Sequence, residues 1–580
     1  MPIRSLQITP LAWKGRMSEI EQSIRQFALQ NAVLHDGRAE AKNVINKVIG
    51  KHPDIKKEMG KWVPAINRIV AEVNSMEPGA QRAELESTAP ELLAKKEAST
   101  EPKLRPLDVK EGQQVVMRLA PFPSGAPHIG NLRSFILNDE YVKRYQGKLL
   151  LIYDDTIGSD EKAVLLESYD LIQEAMRWLG IEFHEVHYKS DRMELYYEWG
   201  RRLLENGSAY ACFCDAETLR KNREAGVECE HRSRPAEEQL RIWEAMLRGE
   251  HGEGSVVIRI KTDMRHKNPA FRDRVLFRIS EKIHPRVGNK YHVWPLLEMT
   301  WAADDCTLGM THVIRGKDLM MEDEMENLVW QKLGLSPGTQ FLHFGMLRVE
   351  DAKISKSKAY REVTSGEYIG WDDPRTWSVQ SLRARGLVPE AIRRFVLDMG
   401  MSLADISTPA ENMYAYNRSI LDPNAPRSTF LADPVQVAIS SLPGDLRKVR
   451  MPVHPEHPEM GARILSASDR VLLARGDFDS LQGREVRLKD FCNVLLDGEQ
   501  ATFVSIEKKD LPRITWLNAL DPDLVKVTVM MVDGELVEGV GEPNLNGMGI
   551  PSVVQFERFG FVSLSGRGAG GDLRAFFAHK

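Results

Sequence analysis

The 580-residue sequence predicts an α/β fold built on a nucleotide-binding parallel sheet, with helices before the sheet and an all-β region after it. Three observations lead to this prediction. A short apolar strand runs into a Gly- and Pro-rich turn and then a helix over residues 115–145. A second apolar strand, residues 149–153, ends in two carboxylates. From about residue 421 short apolar runs alternate with turn signals, which is typical of barrels and sandwiches.

The composition is that of a soluble globular protein with several domains. Hydrophobic residues make up 42% and charged residues 28% of the chain. No run of about 18 apolar residues predicts a membrane span, and the N-terminus lacks the pattern of a secretory signal. The net charge of −5 argues against non-specific coating of nucleic acid. Five cysteines do not make a disulfide framework, so we expect a cytoplasmic protein.

The first 107 residues are expected to form a helical accessory domain without a chemical motif. Ser18 followed by Glu21 fits a capping box at the start of a first helix. Two further helices are expected over about 39–50 and 54–76, the last interrupted at Pro64. The segment from 87 to 107 is rich in proline and charge and is expected to be partly linker.

The turn at residues 121–131, which we call the signature turn, is the first candidate site. It links the strand at 115–119 to a helix expected over 132–145. Free backbone N–H groups and the helix dipole make such a helix N-terminus a site for phosphate. His128 can donate a hydrogen bond to a phosphate oxygen, and Gly130 lets an adenine or ribose approach the backbone closely.

The stretch from Arg118 to Asn131 resembles the "HIGH" signature of class I aminoacyl-tRNA synthetases, in the form of the glutamyl and glutaminyl branch. Asn131 stands where that signature has its last histidine, and asparagine can donate a hydrogen bond but cannot carry charge. The resemblance implies catalytic roles for His128 and Asn131. It also implies ATP binding by Pro121, Pro123, Ser124, Gly125, His128, Ile129, Gly130 and Asn131.

Residues 353–357 resemble the Lys-Met-Ser-Lys-Ser loop of the same class, with isoleucine in place of methionine. On a mobile loop, Lys353 and Lys356 can meet the triphosphate as its charge moves onto pyrophosphate. The resemblance implies that both lysines take part in catalysis. It also implies that Lys353, Ser355, Lys356 and Ser357 contact ATP.

Four residues are candidates for binding the amino acid. Asp154 and Asp155 end a strand in a block that resembles the family's Arg-Phe-Asp-Asp-Thr, which implies that one of them holds the α-amino group. The sequence does not distinguish the two. By resemblance Arg118 faces the substrate side chain, and its planar fork suits a carboxylate, the alternative being a structural ion pair. Arg315 is a candidate for holding an anionic substrate or nucleotide, the alternative being a surface ion pair.

A C-x-C and a later C-x-H predict a metal site at Cys212, Cys214, Cys229 and His231. Three thiolates and one imidazole can complete a tetrahedral structural zinc site. The polar segment between them has few core residues, so a metal would stabilise its fold directly. Similar knuckles occur in parts of the glutamyl-tRNA synthetase family. The alternative, ordinary packing, is our interpretation of Cys306 and Cys492.

The resemblance covers nearly the whole chain and implies a Rossmann-like class I core. The β-rich end resembles the anticodon-binding barrels of glutaminyl-type and archaeal glutamyl-type enzymes, whereas bacterial glutamyl enzymes use a helical module. The expected order is helical accessory domain (1–107), first half of the core (108–208), inserted acceptor-stem-binding region with the zinc knuckle (209–290), second half of the core (291–360), helical bridge (361–420) and anticodon-binding barrels (421–580).

The function implied is ATP-dependent attachment of glutamate to tRNA(Glu) through glutamyl-adenylate, which releases pyrophosphate and AMP. Mg²⁺ would accompany ATP. The alternatives are a glutaminyl-tRNA synthetase and a non-catalytic tRNA-binding relative. The expected partners are glutamate, ATP and tRNA(Glu), with tRNA(Gln) possible, and we expect a monomer without membrane contact.

Overall fold

The computed structural model describes residues 19–34, 37–52, 59–92, 104–157, 163–352 and 356–580. The chain divides into two compact structural units, Met1–Glu101 and Pro102–Lys580. Ser18 of the expected capping box lies outside the described residues, as do Lys353 and Ser355. Within the described part, no helix has both the length and the apolar character needed to cross a membrane.

The first unit consists of four helices around an apolar core. They are α1 (Glu19–Leu34), α2 (Ala41–Lys51), α3 (Met59–Asn74) and α4 (Pro78–Thr88). The interruption expected at Pro64 is wrong, because α3 continues through it. Because Pro64 has no N–H, the carbonyl of Gly60 loses its helical hydrogen bond. Both residues are exposed, so water can hydrogen-bond to that carbonyl instead. The sequence did not predict α4, whose one buried apolar side chain is Leu85.

The second unit begins with a parallel three-stranded layer. Its elements are β1 (Val116–Leu119), α5 (Leu132–Arg144), β2 (Lys148–Tyr153), α6 (Glu167–Trp178), β3 (Glu185–Tyr188) and α7 (Met193–Glu205). The strands lie in the order β1-β2-β3. The predicted strand, turn and helix around the signature turn are therefore confirmed as β1 and α5. All residues of β2 after Lys148 are buried, as its continuous apolar sequence predicts for a parallel strand.

An antiparallel four-stranded sheet is inserted after α7. Its elements are β4 (Ala209–Cys212), α8 (Ala216–Ala225), α9 (Ala236–Leu247), β5 (Val257–Ile260), β6 (Val275–Ile279) and β7 (Val293–Pro295). The strands pair in sequence order, β4-β5-β6-β7. Trp243 of α9 and Trp294 of β7 are almost fully buried in the core that this sheet shares with α7.

The chain then returns to the parallel layer. The elements are α10 (Leu297–Thr307), β8 (His312–Gly316), α11 (Met320–Lys332), β9 (Gln340–Phe344), β10 (Leu347–Val349) and α12 (Lys356–Ser365). Strands β8 and β9 are parallel. The N–H of Thr311 donates to the carbonyl of Val116 at 3.0 Å, so the β8–β9 pair lies beside β1. The carboxyl ends of β1, β2 and β8 therefore face the same edge.

A helical segment follows, with α13 (Val379–Ala384), α14 (Pro389–Asp398), β11 (Ile406–Thr408) and α15 (Glu411–Leu421). Strand β11 pairs in parallel with β10. Arg385, directly after α13, is fully buried. Its guanidinium donates to the carbonyls of Phe577 at 3.1 Å and Ala578 at 2.7 Å, far along the chain. This residue therefore ties the helical segment to the last strand of the β region.

The remaining chain is β-rich, which confirms the all-β prediction. Its elements are β12 (Arg427–Ser428), β13 (Phe430–Ala432), β14 (Pro434–Ser440), β15 (Lys448–Pro452), β16 (Ala462–Ser466), β17 (Arg470–Ala474), α16 (Arg475–Ser480), β18 (Glu485–Leu488), β19 (Asn493–Asp497), β20 (Gln500–Ser505), β21 (Arg513–Ile514), β22 (Leu517–Asn518), β23 (Val525–Met530), β24 (Leu536–Gly541), β25 (Ser552–Phe556), β26 (Gly560–Arg567) and β27 (Leu573–His579).

These strands form two barrel-like seven-stranded sheets and a hairpin. One sheet has the order β12-β25-β26-β27-β23-β24-β13, the other has the order β21-β18-β19-β20-β14-β17-β22, and β15 pairs with β16. Each sheet buries its own apolar cluster. The strand alternation seen in the sequence reflects this, because one face of each sheet is buried and the other is exposed.

Candidate active site and metal centre

The signature turn leaves the carboxyl end of β1 and is braced by a segment far along the chain. The N–H of Ile129 donates to the carbonyl of Trp377 at 3.1 Å, and the N–H of Val379 donates to the carbonyl of Pro127 at 2.8 Å. On the other side, the N–H of Gly125 donates to the hydroxyl of Ser168 at 2.7 Å. The turn is therefore held between α6 and the start of α13.

At two positions of the turn, the surrounding structure leaves room only for glycine. Gly125 has a φ of +129°, and an added Cβ would lie 2.8 Å from the ring of Trp371. A Cβ on Gly130 would lie 2.9 Å from the ring of His128. Any side chain would therefore be strained at the first position and would push His128 away at the second. The sequence indicated both glycines but not the tryptophan, which follows Gly125 by 246 positions (371 − 125).

His128 and Asn131 hold each other in place at the end of the turn. The N–H of Gly130 donates to Nδ1 of His128 at 3.0 Å. The side-chain oxygen of Asn131 accepts the backbone N–H of His128 at 3.1 Å. A neutral imidazole whose Nδ1 accepts carries its proton on Nε2. His128 is therefore set to donate from Nε2, as the phosphate-binding prediction requires.

The two carboxylates after β2 have different environments. Asp155 is fully buried and accepts hydrogen bonds from Tyr169 at 2.8 Å and from the backbone and hydroxyl of Ser190 at 2.9 and 2.8 Å. Asp154 is 8% exposed, and its Oδ1 accepts from Lys189 at 2.7 Å. Its Oδ2 accepts no hydrogen bond from any residue that the structure describes. Asp154, not Asp155, therefore has an oxygen left for a ligand.

Arg118 makes a buried, bidentate ion pair with Asp305 of α10. Its Nη2 donates to Oδ2 at 2.7 Å, and its Nε donates to Oδ1. Burial alone would lower the pKa of Arg118, but the charge of Asp305 raises it above its ordinary value. Nη1 has no hydrogen-bond partner among the described residues. The alternative weighed from the sequence, a structural ion pair, is thus present, but it leaves one edge of the guanidinium uncommitted.

Arg315 lies near Arg118 rather than at the surface. It is 5% exposed, and its Nη1 donates to Glu326 at 2.7 Å. Burial and the neighbouring Asp305 raise the pKa of Glu326 well above its ordinary value. The guanidinium carbons of Arg315 and Arg118 lie 4.7 and 4.9 Å from the centroid of the Trp301 ring. Arg315 does form ion pairs, with Glu326 and with the partly buried Asp323, but they do not lie at the surface, because Arg315 and Glu326 are buried.

Sequence reasoning did not single out Trp301, Lys189 or Glu326. Nζ of Lys189 lies 5.5 Å from the centroid of the Trp301 ring, so three cations surround one aromatic side chain. The acidic pair at 304–305 was a visible signal in the sequence. Nothing local, however, connects that pair to Arg118.

The lysine-rich segment at residues 353–357 follows β10 in the chain. The structure gives the backbone of Lys356 and Ser357 as the first turn of α12 and does not describe Lys353 or Ser355. Strand β10 ends at Val349, and the N–H of Ala352 turns back to the carbonyl of that residue at 3.1 Å. The catalytic and ATP-binding roles of these four residues remain predictions.

The four predicted metal ligands lie together in the inserted domain, with their ligand atoms all within 4.8 Å of one another. The sulfurs of Cys212 and Cys229 are 3.7 Å apart, and the sulfur of Cys214 is 3.6 Å from Nδ1 of His231. In a tetrahedron with Zn–S bonds of about 2.3 Å, two sulfurs are about 3.8 Å apart. The donor set and its spacing therefore fit a zinc ion.

The metal-ligand group is assembled by two short elements. Cys212 ends β4, and Cys229 precedes a single helical turn that contains His231. Gln239 of α9 joins them, because its Oε1 accepts the N–H of Ala211 at 2.7 Å and its Nε2 donates to the carbonyl of His231 at 3.0 Å. Neutral hydrogen bonds thus fix the backbone that carries the ligands.

Comparison with known proteins defines the class. The model of "tRNA synthetases class I (E and Q), catalytic domain" matches residues 114–423, and the model of the anti-codon binding domain of the same class matches residues 425–509. The chain belongs to this family of class I tRNA synthetases, which confirms the resemblance seen in the sequence.

Curated relatives are similar over almost their whole length. The glutamate–tRNA ligase of Pyrococcus furiosus is 39% identical over 97% of this chain and 100% of its own. The enzyme of the same name from Pyrococcus abyssi is 40% identical, with the same coverage. That of Methanosarcina acetivorans is 38% identical over 96% of this chain and 99% of its own.

Proposed function

We propose that the chain is an ATP-dependent ligase that attaches glutamate to tRNA. The observation that carries this proposal is the similarity, at 38–40% identity, to glutamate–tRNA ligases over 96–97% of the chain. The α-carboxylate of glutamate attacks the α-phosphorus of ATP, which gives glutamyl-adenylate and releases pyrophosphate. A ribose hydroxyl at the 3′ end of the tRNA then takes the glutamyl group and releases AMP.

ATP is proposed to bind at the signature turn. Nε2 of His128 is held as a donor by the bond from Gly130 to Nδ1, and the N-terminus of α5 adds backbone donors for phosphate. Mg²⁺ would accompany the triphosphate. Most of the catalysis consists of positioning and charge stabilisation. Lys353 and Lys356 are proposed to supply the positive charge that meets the departing pyrophosphate.

For the amino acid, we propose one contact at each end. Asp154 receives the α-amino group through its uncommitted Oδ2, while Asp155, both of whose oxygens already accept hydrogen bonds, holds the neighbouring backbone. Nη1 of Arg118 faces the side-chain carboxylate, with the other edge of the guanidinium fixed by Asp305. A fixed donor edge is suited to a carboxylate and leaves a glutamine amide with an unfavourable N–H facing N–H.

For the tRNA, we propose that the β region binds the anticodon. A pocket of about 380 Å³ lies between the two seven-stranded sheets, and among its lining residues are Arg427, Lys489, Arg513 and Arg558. Lys489 pairs with Glu557, whereas the side chain of Arg513 has no partner among the described residues. Cations beside a pocket of this size suit an unstacked base and its phosphate.

For the inserted domain, we propose that Cys212, Cys214, Cys229 and His231 bind structural zinc. The chemistry of the donor set supports this, as does the clustering of its ligand atoms within 4.8 Å of one another, with Cys212–Cys229 at 3.7 Å and Cys214–His231 at 3.6 Å. A closed set of four protein ligands leaves no open coordination position, so the metal would order the domain and take no part in the reaction.

Charging assays test the proposed function. Total tRNA is incubated with the enzyme, ATP and labelled glutamate, and separately with labelled glutamine. We expect glutamate to be charged and glutamine not. Transcripts of tRNA(Glu) and tRNA(Gln), assayed one at a time, then show which tRNA accepts glutamate. Charging of glutamine alone would make the chain a glutaminyl enzyme, and charging of neither would favour a non-catalytic tRNA-binding protein.

A further inference from the structure

Arg259, on β5 of the inserted domain, is a buried cation without a carboxylate partner. Arg259 is fully buried, with 0% exposure. Across the described ranges, no Asp or Glu oxygen lies within ion-pair distance of its guanidinium. Nε donates to the backbone carbonyl of Asp273 at 2.8 Å, and Nη2 makes no hydrogen bond to any residue in the described part of the chain. Burying a cation without an anionic partner costs free energy, so we expect another neighbour of Arg259 to carry negative charge.

The nearby carboxylate of Asp273 makes no direct ion pair with Arg259. One of its oxygens accepts from Tyr210 at 2.8 Å and from Arg232 at 3.1 Å. The other accepts from the backbone of Thr262 at 2.7 Å. The carboxylate of Asp273 is therefore ion-paired with Arg232, and the hydrogen bond that Arg259 makes to this residue goes to its backbone carbonyl.

The remaining contacts of Arg259 are the neutral ring of Tyr210, whose centroid lies 5.5 Å from the guanidinium carbon, and two of the metal-ligand sulfurs. Nη1 lies 3.7 Å from the sulfur of Cys212 and 4.0 Å from the sulfur of Cys229. These are the two buried cysteines of the group, whereas Cys214 is partly exposed. The guanidinium thus approaches the side of the cluster that water does not reach.

We propose that Arg259 is the charge-balancing and positioning residue of the metal centre, donating from Nη1 to the thiolates of Cys212 and Cys229. This inference rests on the proposed zinc site. Three thiolates, a neutral imidazole and Zn²⁺ sum to a charge of −1, and Arg259 brings the buried assembly to zero. The donor set of three cysteines and one histidine and the buried arginine beside it are then parts of one neutral unit.

The test compares zinc affinity in variants of the full-length chain by competition with a chromogenic chelator. Arg259→Met and Arg259→Gln remove the charge and should weaken zinc binding about 10- to 100-fold, as is usual for partners of metal ligands. Arg259→Lys restores the charge and should recover most of the affinity. Arg272→Met is the matched control, because Arg272 lies in the same domain but donates to the carbonyls of Arg223 and His266.

Cobalt substitution gives a second readout that does not depend on activity. Donation to the sulfurs should shift the thiolate-to-Co²⁺ charge-transfer band in Arg259→Gln relative to wild type and to Arg272→Met. Equal zinc affinity and an unchanged band in the neutral variants would overturn the role of Arg259. Lys and Gln variants of equal affinity would overturn charge balance. A wild-type chain that binds no zinc would overturn the zinc proposal itself. Should Arg259→Met fail to fold, as judged by circular dichroism, Arg259→Gln decides the outcome.

Discussion

Lys356, at the first position of α12, is expected to matter most for amino-acid activation. One well-placed charge at a developing pyrophosphate contributes several kcal/mol in a site that excludes water, so Lys356→Ala should slow adenylate formation by about 10²-fold or more. ATP–pyrophosphate exchange measures this step. Lys358→Ala, two positions along the same helix, is the control and should leave the rate nearly unchanged. A near-normal rate in Lys356→Ala would remove this lysine from the mechanism.

Arg118 is expected to decide which amino acid is accepted. With tRNA present, wild type should use glutamate at least about 10³-fold better than glutamine in kcat/KM, because an unpaired buried polar group rejects the wrong substrate. Arg118→Gln should lose most activity with glutamate and narrow that ratio. Steady-state charging with each amino acid provides the measurement, and efficient charging of glutamine by wild type would contradict the assignment.

A substitution at Asp305 tests whether Arg118 must be held in position, because it leaves Arg118 itself in place. Asp305→Asn keeps the guanidinium of Arg118 but removes the carboxylate that fixes it. We expect KM for glutamate to rise more than kcat falls. Because a buried ion pair that loses one partner costs about 3–5 kcal/mol, the variant should also unfold at lower denaturant concentration. Unchanged KM and stability would show that Arg118 needs no support from Asp305.

The zinc knuckle can be tested as a structural element. Elemental analysis of wild type should find about one zinc per chain, and Cys229→Ser should lose it, since three ligands hold the metal less tightly than four. Cys306→Ser is the control, because Cys306 lies on α10 outside the metal-ligand group. Metal-free wild type with ordinary activity would leave the four residues as packing groups.

The sequence predicted best those elements whose structure is determined by residues close to them in the chain. The turn after β1 and the C-x-C and C-x-H pairs are recognisable from residues adjacent in the chain. Both were predicted at their observed positions. Helix α4 was missed because its stability comes from tertiary interactions, such as Gln81 donating to the carbonyls of Gly37 and Val73, both at 2.9 Å. Which of Asp154 and Asp155 keeps an uncommitted oxygen also depends on distant partners, Lys189 and Ser190.

In the molecule as a whole, His579 is expected to make the stability of the joint between the β region and α15 depend on pH. Its Nε2 accepts from the amide of Asn417 at 2.9 Å, and burial lowers the pKa of His579 to about 4. In the unfolded chain the pKa is about 6.5, so between these values the unfolded state binds more protons. The contribution is therefore complete above about pH 6.5 and is lost as the pH falls toward 4.

Denaturant unfolding at pH 5 and pH 7.5 checks this. The free energy of unfolding of wild type should fall between the two pH values by up to about 2 kcal/mol more than that of His579→Gln, because each pKa unit is worth about 1.4 kcal/mol and only part of the range is crossed. The difference between the two proteins cancels the other titrating groups. An identical fall in both would show that His579 does not contribute.

The contact of Arg385 with β27 also sets an order in time. Arg385 leaves the ribosome 192 residues before Phe577, whose carbonyl it needs. At about 5–20 residues per second this gap lasts roughly 10 to 40 s. Until then the guanidinium of Arg385 lacks the two carbonyl acceptors that β27 provides in the folded protein. A nascent chain released in this interval would expose a cation that the folded protein buries, so the joint between the helical segment and the β region is completed only late in synthesis.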